Sequence, residues 1–458
     1  MFTRELIKFV LKTEFKDLPA GVVKAAKPAI LDLLGVAIAG SREPSGKMIG
    51  ELVKQTQSVP EATVIGGNFK AGCSTAALAN GTAGHVLDWD DCLDYPDVGL
   101  AHPTASIIPA AVALGEKRHV SGKDLITAYV LGVEAYGKIG LLRRKAYHSG
   151  SGWEWTGVLG VMGSATACAK ILKLDEKKTE MALGIAASAA GGLTRNFGTM
   201  AGHLHSGNAA RNGIEAAVLA GMGYNGVENV IEGPSGFYNL FAGTDVPLAE
   251  EVMRENIDAL GNPWNIIEPG LMFKAFPIAH ISHFGVEAAL QLREKYPVDW
   301  HNIEDIEFRI PPFIQRAVWY KDPQTGIQGK FGLSYCLCRA LVQGKINITD
   351  FTDAAVQDPA IRQLMGKVRW GSIEQEAGAG PFGCQEVVLK MNDGKTYRCQ
   401  VEHPRGEPQN PLTRQQAETK FRDCAQHAHY AEKRTAQILD LVMNLEELDD
   451  INKLTSLL

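Results

Sequence analysis

The chain has 458 residues, a formal net charge of −6 and hydrophobic residues at 45% of its composition. This length favours more than one domain, and the composition is that of a globular protein with a large core. An acidic balance without a basic tail or stripe excludes nucleic acid and anionic membranes as main partners.

The N-terminal segment and the cysteines indicate a cytoplasmic protein. Charges interrupt residues 1–21 every few positions, so this segment lacks the apolar core of a signal peptide. No stretch reaches the roughly 18 apolar residues that a membrane-spanning helix needs. The eight cysteines are scattered without a CxxC pair, which is typical of reduced thiols rather than of disulfides.

Helical patterns follow one another through the first 268 residues. Residues 20–39 are rich in Ala, Leu and Val and stop at Gly40. Residues 121–144 have apolar side chains at helical spacing, with Ser121 as the N-cap. Three further stretches are rich in Ala and Gly, as in closely packed helical bundles: residues 156–172, 177–190 and 207–222.

Residues 80–116 form the segment with the most potential chemistry. Acidic and imidazole side chains are concentrated within eighteen positions: His85, Asp88, Asp90, Asp91, Asp94, Asp97 and His102. An apolar helix beginning with Pro103 and Thr104 follows directly. Burying an ionised carboxylate without partners is strongly unfavourable, so this segment is either a solvated loop or a functional site.

Two later motifs carry weaker predictions. Residues 191–198 are rich in glycine and lie between helices, which predicts a loop where Arg195 could contact an anion. His203 and His205 have the spacing of half a metal site, but no third ligand stands at a suggestive spacing. We therefore favour a structural role for the HxH pair and predict no metal.

Strand patterns begin after residue 268. Residues 303–310 alternate between apolar and polar side chains, and residues 384–402 form a hairpin around Asp393-Gly394. Helical patterns lie among these strands at residues 278–295 and 331–343, and the chain turns helical again over 411–446. This order predicts a mainly α protein. Its large all-α domain is formed by both chain ends, residues 1–268 plus 405–458, and a smaller α+β lid domain is inserted at residues 269–404.

The acid–imidazole segment resembles the MmgE/PrpD family, the 2-methylcitrate dehydratase-like proteins. The resemblance rests on motifs that follow in order over nearly the whole chain: Asn80-Gly81, Asp88-Trp89-Asp90-Asp91, His102-Pro103-Thr104, His205-Ser206-Gly207-Asn208, Lys274-Ala275-Phe276-Pro277, Gly329-Lys330-Phe331 with Tyr335, and His403-Pro404-Arg405-Gly406. It implies a helical domain with an α+β lid, a homodimer, and no metal or organic cofactor. It also implies proton transfer next to a carboxylate of a small di- or tricarboxylic acid, because family members dehydrate 2-methylcitrate, decarboxylate cis-aconitate or epimerise iminodisuccinate.

Such chemistry needs a base, an acid and a cation that holds the substrate carboxylate. The resemblance places these roles on matched positions. The predicted catalytic residues are His102, Asp88, Lys274, Tyr335 and Glu154, and the predicted substrate-binding residues are Arg195, His203 and Lys330. Asp90 and Asp91 are interpreted instead as loop or helix-start charges.

Two positions depart from the family pattern. Glu154 stands where members that handle tricarboxylates carry a second catalytic histidine, and Gly202 stands where they carry a lysine. The site would then be about two charges more negative, which disfavours methylcitrate and cis-aconitate as substrates. His203 could replace part of the lost positive charge. Glu154 could also act as a general base, with its pKa raised by Trp153 and Trp155.

The sequence leaves three functions open. The first is a cofactor-independent lyase or isomerase, dehydratase- or decarboxylase-like, that acts next to a carboxylate. The second is an epimerase of an amino- or imino-dicarboxylate such as iminodisuccinate. The third is a non-catalytic paralogue that binds a metabolite, since a fold can outlast its activity.

Overall fold

The computed structural model describes residues 1–95, 98–99, 101–142, 152–243, 247–315, 319–374 and 382–458. Asp97 and the last two residues of the predicted helix 121–144 lie outside these ranges. None of the described helices is long and apolar enough to cross a membrane.

The prediction of a mainly α protein is confirmed. The helices before residue 270 are α1 Phe2–Lys12, α2 Ala20–Gly40, α3 Pro44–Gln55, α4 Cys73–His85, α5 Thr104–Arg118, α6 Gly122–Leu141, α7 Trp155–Ile171, α8 Glu176–Ser188, α9 Met200–Gly221, α10 Phe237–Ala242 and α11 Glu250–Asp258. The later ones are α12 His280–Lys295, α13 Pro312–Gln315, α14 Gly326–Lys330, α15 Leu333–Gln343, α16 Asp353–Val356, α17 Pro359–Met365, α18 Arg414–His427, α19 Glu432–Met443 and α20 Asn452–Thr455.

The strands are few and most of them are short. Two small antiparallel pairs lie in the first part of the chain: β1 Ala62–Val64 with β2 Phe69–Ala71, and β3 Asp94–Tyr95 with β4 Val98–Gly99. The remaining strands form one sheet in the order β6-β5-β7-β8: β5 Ile303–Ile310, β6 Val368–Ser372, β7 Gln385–Met391 and β8 Thr396–Val401. Strand β5 pairs parallel to β6 and antiparallel to β7, and β7 and β8 form the predicted hairpin.

Local sequence signals explain several element boundaries. The Ser121 side chain accepts a hydrogen bond from the backbone N–H of Asp124, and Asp124 reciprocates, so a capping box starts α6 where predicted. Helix α2 ends at Gly40, as its composition indicated. Helix α9 begins at Met200 rather than at residue 207, which places the HxH pair in its first turns.

Close packing of α4 against α9 sets the place of the site. A Cβ atom on Gly81 would stand 2.8 Å from the Cα of Gly207, so the two backbones can approach this closely only because both residues are glycine. Helix α4 ends at His85, and α9 has His203 one turn before the contact. The contact of Gly81 with Gly207 thus brings imidazoles from two distant segments together.

The two largest apolar cores of the described residues organise the molecule. One contains side chains from residues 2–271 and 421–458, and the other contains side chains from residues 276–401, including the inner faces of the sheet, α12 and α15. The segment from Leu271 to Ala279 connects them and runs beside the acid–imidazole segment, since the backbones of Cys92 and Met272 exchange two hydrogen bonds of 2.9 Å. Side chains after residue 271 therefore reach the end of α4.

Candidate active site

A buried carboxylate joins two histidines at the end of α4. The carboxylate of Asp90 lies 2.9 Å from Nδ1 of His85 and 3.2 Å from Nδ1 of His102. The two imidazole rings are 4.7 Å apart between centroids, and the His203 ring stands edge-on to His85 at 6.4 Å. Asp90 is fully buried, whereas 14% of the His102 side chain is exposed, so the imidazole lies between the carboxylate and solvent.

The electrostatics of this group favour charge separation. Burial alone would raise the pKa of Asp90, but His85 and His102 outweigh it and hold that pKa well below its ordinary value. Burial likewise opposes a proton on His102, yet the neighbouring Cys92 and Asp90 side chains raise the pKa of His102 well above its ordinary value. Both shifts favour an imidazolium beside a carboxylate.

Three buried lysines hold the turn between α4 and Asp90. Each ammonium group donates to one of three successive carbonyl oxygens: Lys330 to Leu87 at 2.8 Å, Lys274 to Asp88 at 3.0 Å and Lys420 to Trp89 at 2.6 Å. Asp88 adopts a left-handed backbone conformation with φ of +51°, which costs a non-glycine residue about 1–2 kcal/mol. This lysine cradle (Lys274, Lys330 and Lys420) offsets the strain and fixes the direction of the turn.

The lysines differ in how their charge is compensated. Lys274 also binds the Asp88 carboxylate, and Lys420 lies 2.7 Å from the Asp32 carboxylate. Among the described residues, Lys330 forms no ion pair within 4.0 Å and instead contacts two carbonyls and the ring of Phe351. Burial lowers the pKa of Lys330 to about 8.

Asp88 and Lys274, both predicted to be catalytic, form a buried ion pair. Burial opposes the charge on both groups, but each outweighs it for the other, so the pKa of Asp88 is lowered and that of Lys274 is raised. The two side chains form a closed pair beside His102 rather than two separate groups. The positive charge of Lys274 is already shared with the Asp88 carboxylate, so it is less available to a substrate carboxylate.

The expectation that Trp153 and Trp155 raise the pKa of Glu154 is wrong. Its carboxylate caps α7, because the two oxygens accept hydrogen bonds from the backbone N–H of Thr156 at 3.0 Å and of Gly157 at 2.9 Å. The Nδ1 of His205 also lies 3.2 Å from Glu154 Oε2. Burial would raise the pKa of Glu154, but His205 and Thr156 outweigh it and lower the pKa to about 2.

Replacing Glu154 by glutamine should destabilise the protein in a pH-dependent way. The folded pKa of about 2 lies below the ordinary 4.5, so the charged cap stabilises the fold above pH 4.5 and is lost as the pH falls toward 2. A shift of this size corresponds to about 3 kcal/mol at neutral pH. Urea unfolding of both proteins from pH 7 to pH 3.5 should show the difference shrinking below pH 4.5. Glu176→Gln, at an exposed first-turn position of α8, should show a difference below about 0.5 kcal/mol at every pH.

The suggestion that His203 supplies a positive charge is also wrong. Its Nδ1 lies 2.9 Å from the hydroxyl of Ser45. Burial, together with the positive charges of His85 and Lys330, lowers the pKa of His203 to about 3, so the ring is neutral. His203 nevertheless adjoins the acid–imidazole group through its ring contact with His85.

Two other predicted residues lie apart from this group. Tyr335 is fully buried in the second core, where its hydroxyl donates to the backbone carbonyl of Asp350. Arg195 is exposed in the turn Thr194–Asn196. The structure therefore brings together Asp88, His102, Lys274, Lys330 and His203. Glu154 contacts His205, which lies two residues after His203 on α9.

Sequence reasoning underrated Asp90 and Asp91. Both were interpreted as loop or helix-start charges, yet both are buried. Asp91 accepts a hydrogen bond from the Thr104 hydroxyl, and burial raises its pKa well above the ordinary value. The position of Asp90, five residues after His85 at a helix end, could have indicated the contact.

Among the described residues, two groups of side chains within the site have atoms of the kinds that can ligate a metal. The atoms of His85, Asp90 and His102 form one set, and those of Cys92, Asp94 and His280 form the other, each within 4.8 Å of one another. In the first set Asp90 already bridges both imidazoles. The second set was not foreseen, because His280 is 186 residues from Asp94 along the chain.

The chain matches known proteins over nearly its whole length. Residues 4–248 match the model of the MmgE/PrpD N-terminal domain, and residues 276–447 match that of the C-terminal domain. The chain belongs to the MmgE/PrpD family. Cis-aconitate decarboxylase of Homo sapiens is 29% identical over 452 residues, covering 95% of this chain and 90% of that protein. Cis-aconitate decarboxylase of Aspergillus terreus is 28% identical over 477 residues, covering 100% of this chain and 95% of that protein. At the level of the family, these relatives support a dehydratase- or decarboxylase-like lyase.

In this MmgE/PrpD chain, glycine at position 202, where the family pattern leads one to expect a lysine, has a steric basis. A Cβ atom on Gly202 would stand 2.8 Å from the backbone carbonyl oxygen of Asn196. Any side chain there would have to displace the turn before α9. The local backbone therefore leaves no space for the lysine expected at this position.

Proposed function

We propose that this protein is a cofactor-independent lyase that transfers a proton next to a carboxylate of a small carboxylic acid, with His102 as the acid–base group. The observation that carries the proposal is the buried Asp90 behind a partly exposed His102. The carbonyl of Asp91 lies 2.7 Å from Nδ1 of His102 and can only accept, so Nδ1 carries a proton. Nε2 is then the nitrogen that exchanges a proton with the substrate.

The cation for the substrate carboxylate is Lys330. Its ammonium is buried, its neighbours in the described structure are carbonyls and a ring, and its charge is not shared with a carboxylate. Loss of a proton or of CO₂ next to a carboxylate builds negative charge, which a desolvated cation stabilises far more than water does. Lys274, already paired with Asp88, positions the turn.

Replacing Lys330 by methionine should weaken substrate binding. A hydrogen bond to a charged group contributes about 1.5–3 kcal/mol, so KM should rise about 10- to 100-fold. Steady-state kinetics with the best substrate gives the result, and Lys345→Met, an exposed lysine beyond α15, should leave KM unchanged. A Lys330→Met protein that keeps the wild-type KM would remove Lys330 from substrate binding.

The substrate is proposed to differ from cis-aconitate and methylcitrate. Glu154 is bound into a helix cap and cannot act as the second proton-transfer group near neutral pH, and Gly202 has no side chain that could supply a cation at its own position. Backbone donors largely compensate the capped charge of Glu154, so it repels a substrate carboxylate only weakly. What disfavours a tricarboxylate is the lack of the second histidine and of the lysine at these two positions. A carboxylic acid that needs one acid–base group suits the site.

The test is isotope exchange with the purified full-length protein in D₂O. Small mono-, di- and tricarboxylic acids are incubated singly and followed by proton NMR, with CO₂ release measured in parallel. Exchange with CO₂ or water loss supports the lyase, whereas exchange with inversion and no mass loss supports the epimerase. Turnover of cis-aconitate or methylcitrate above about 1 s⁻¹ would overturn the substrate proposal. If a carboxylic acid binds but no exchange occurs, the result supports a non-catalytic paralogue that binds a metabolite.

A further inference from the structure

A thiol, a carboxylate and an imidazole converge beside the acid–base group. One ligand atom from each of Cys92, Asp94 and His280 lies within 4.8 Å of the other two. The two-way backbone pairing of Cys92 with Met272 explains the meeting, because it fixes the acid–imidazole segment against the chain that leads into α12. His280 is the first residue of α12. All three residues are buried or nearly so, which frees them from competition with bulk water.

The Nε2 atom of His280 faces a carboxylate, as the free nitrogen of a metal-ligating histidine usually does. Its Nδ1 lies 3.3 Å from the Asp94 carboxylate, and its Nε2 lies 2.9 Å from the Glu407 carboxylate. The second oxygen of Glu407 lies 2.8 Å from Nδ1 of His403. A histidine that ligates a metal through one nitrogen usually gives its other N–H to a carboxylate, which orients the ring and raises its basicity.

We propose that Cys92, Asp94 and His280 bind a thiophilic divalent cation of the Zn²⁺ type, and that its binding blocks the reaction at His102. Thiolate, imidazole and carboxylate are the ligands that Zn²⁺ prefers. Bonds of 2.0–2.3 Å in tetrahedral geometry separate ligand atoms by roughly 3.3–3.8 Å, so small side-chain rotations close the three groups on one ion. The fourth position is left to a solvent molecule.

The balance of the binding step is simple. Sγ of Cys92, Nδ1 of His280 and one Asp94 oxygen each form a bond to the cation, and the displaced thiol and ring protons leave to solvent. The thiolate and the carboxylate neutralise the two positive charges of the ion. Glu407 keeps its hydrogen bond with Nε2 and so holds His280 in the ligating tautomer.

The cation acts on His102 through Cys92. The sulfur of Cys92 lies 3.7 Å from Nδ1 of His102. A cation that binds this sulfur takes it out of its contact with the ring and draws it towards His280, which disturbs the position that the imidazole needs for proton exchange. The inhibitory half of the inference rests on the proposed function, whereas cation binding does not.

Cobalt spectroscopy tests the binding independently of activity. The reduced full-length protein, freed of metal with a chelator, is titrated with Co²⁺. The expected result is one equivalent bound, with the near-ultraviolet thiolate-to-cobalt band and the strong visible bands of tetrahedral Co²⁺, both displaced by Zn²⁺. Cys92→Ser should lose the thiolate band and His280→Ala should bind at least tenfold more weakly. Cys384→Ser, at a half-buried thiol before β7, should retain the wild-type spectrum.

Each outcome decides one half of the inference. No thiolate band, or a band that persists in Cys92→Ser, overturns the site, and unfolding curves show that the variants are folded. If an exchange substrate is found, stoichiometric Zn²⁺ should lower exchange at least tenfold and a chelator should restore it. Cobalt binding with undiminished exchange would overturn the inhibition alone. If no substrate is found, the proposed function fails while the cobalt result still stands.

Discussion

Replacing His102 by alanine should reduce isotope exchange with the preferred substrate by about 10²–10⁴-fold, which is the contribution of one positioned acid–base group. The physical reason is the placement of the ring. Nδ1 is held by the Asp91 carbonyl and the Asp90 carboxylate, so Nε2 has a fixed direction and a fixed tautomer. Alanine removes the proton donor and leaves Asp90 with His85 as its other partner. The rate of deuterium incorporation under saturating substrate gives the size of the loss.

The control for His102 is a histidine with the same chemistry in open solvent. His301 is 67% exposed and pairs with Asp299 in the turn before β5, so His301→Ala should exchange at the wild-type rate. Asp90→Asn keeps both imidazoles but removes the buried charge behind them, and a loss smaller than that of His102→Ala is expected. A His102→Ala protein with more than a tenth of the wild-type exchange rate would assign proton transfer to another group.

The parts of the fold that the sequence predicted well are those with local causes. A capping box starts α6 at Ser121, and an Asp-Gly turn closes the β7–β8 hairpin, because each signal lies within a few residues of the structure it specifies. The start of α9 was predicted seven residues too late. The run Met200–His205 interrupts the small-residue composition with Met, Leu and two His, and its His203 ring packs against His85 at the end of α4.

The site was predictable only where the family motif supplied the position. His102, Asp88 and Lys274 came from the motif, and the structure places them together. The charge state of Glu154 was not predictable, because its two aromatic neighbours indicate a raised pKa. The groups that lower this pKa, His205 first and then Thr156, meet the carboxylate only in the folded chain. The contact of Cys92 with His280 has no local signal either, because tertiary pairing of distant segments creates it.

Lys420 is not among the predicted catalytic or substrate-binding residues, yet its replacement by methionine should have the largest effect on stability. Its ammonium bonds the Asp32 carboxylate at 2.7 Å and the carbonyls of Trp89 and Lys274 at 2.6 and 3.1 Å. Methionine keeps the apolar length of the side chain but leaves a buried carboxylate and two carbonyls without their cation. Removing one partner of a buried ion pair costs about 3–5 kcal/mol.

Urea unfolding of Lys420→Met against wild type checks that loss, with Lys453→Met as the matched control. Lys453 pairs with Asp449 in open solvent, where both side chains are more than half exposed, so its replacement should change the free energy of unfolding by less than about 1 kcal/mol. The same substitution also separates stability from catalysis. Because Lys420 holds the Trp89 carbonyl directly before Asp90, the folded fraction of Lys420→Met should exchange deuterium more slowly at 10 °C, where it remains native. Wild-type exchange per folded molecule would mean that the cradle stabilises the turn without aligning His102.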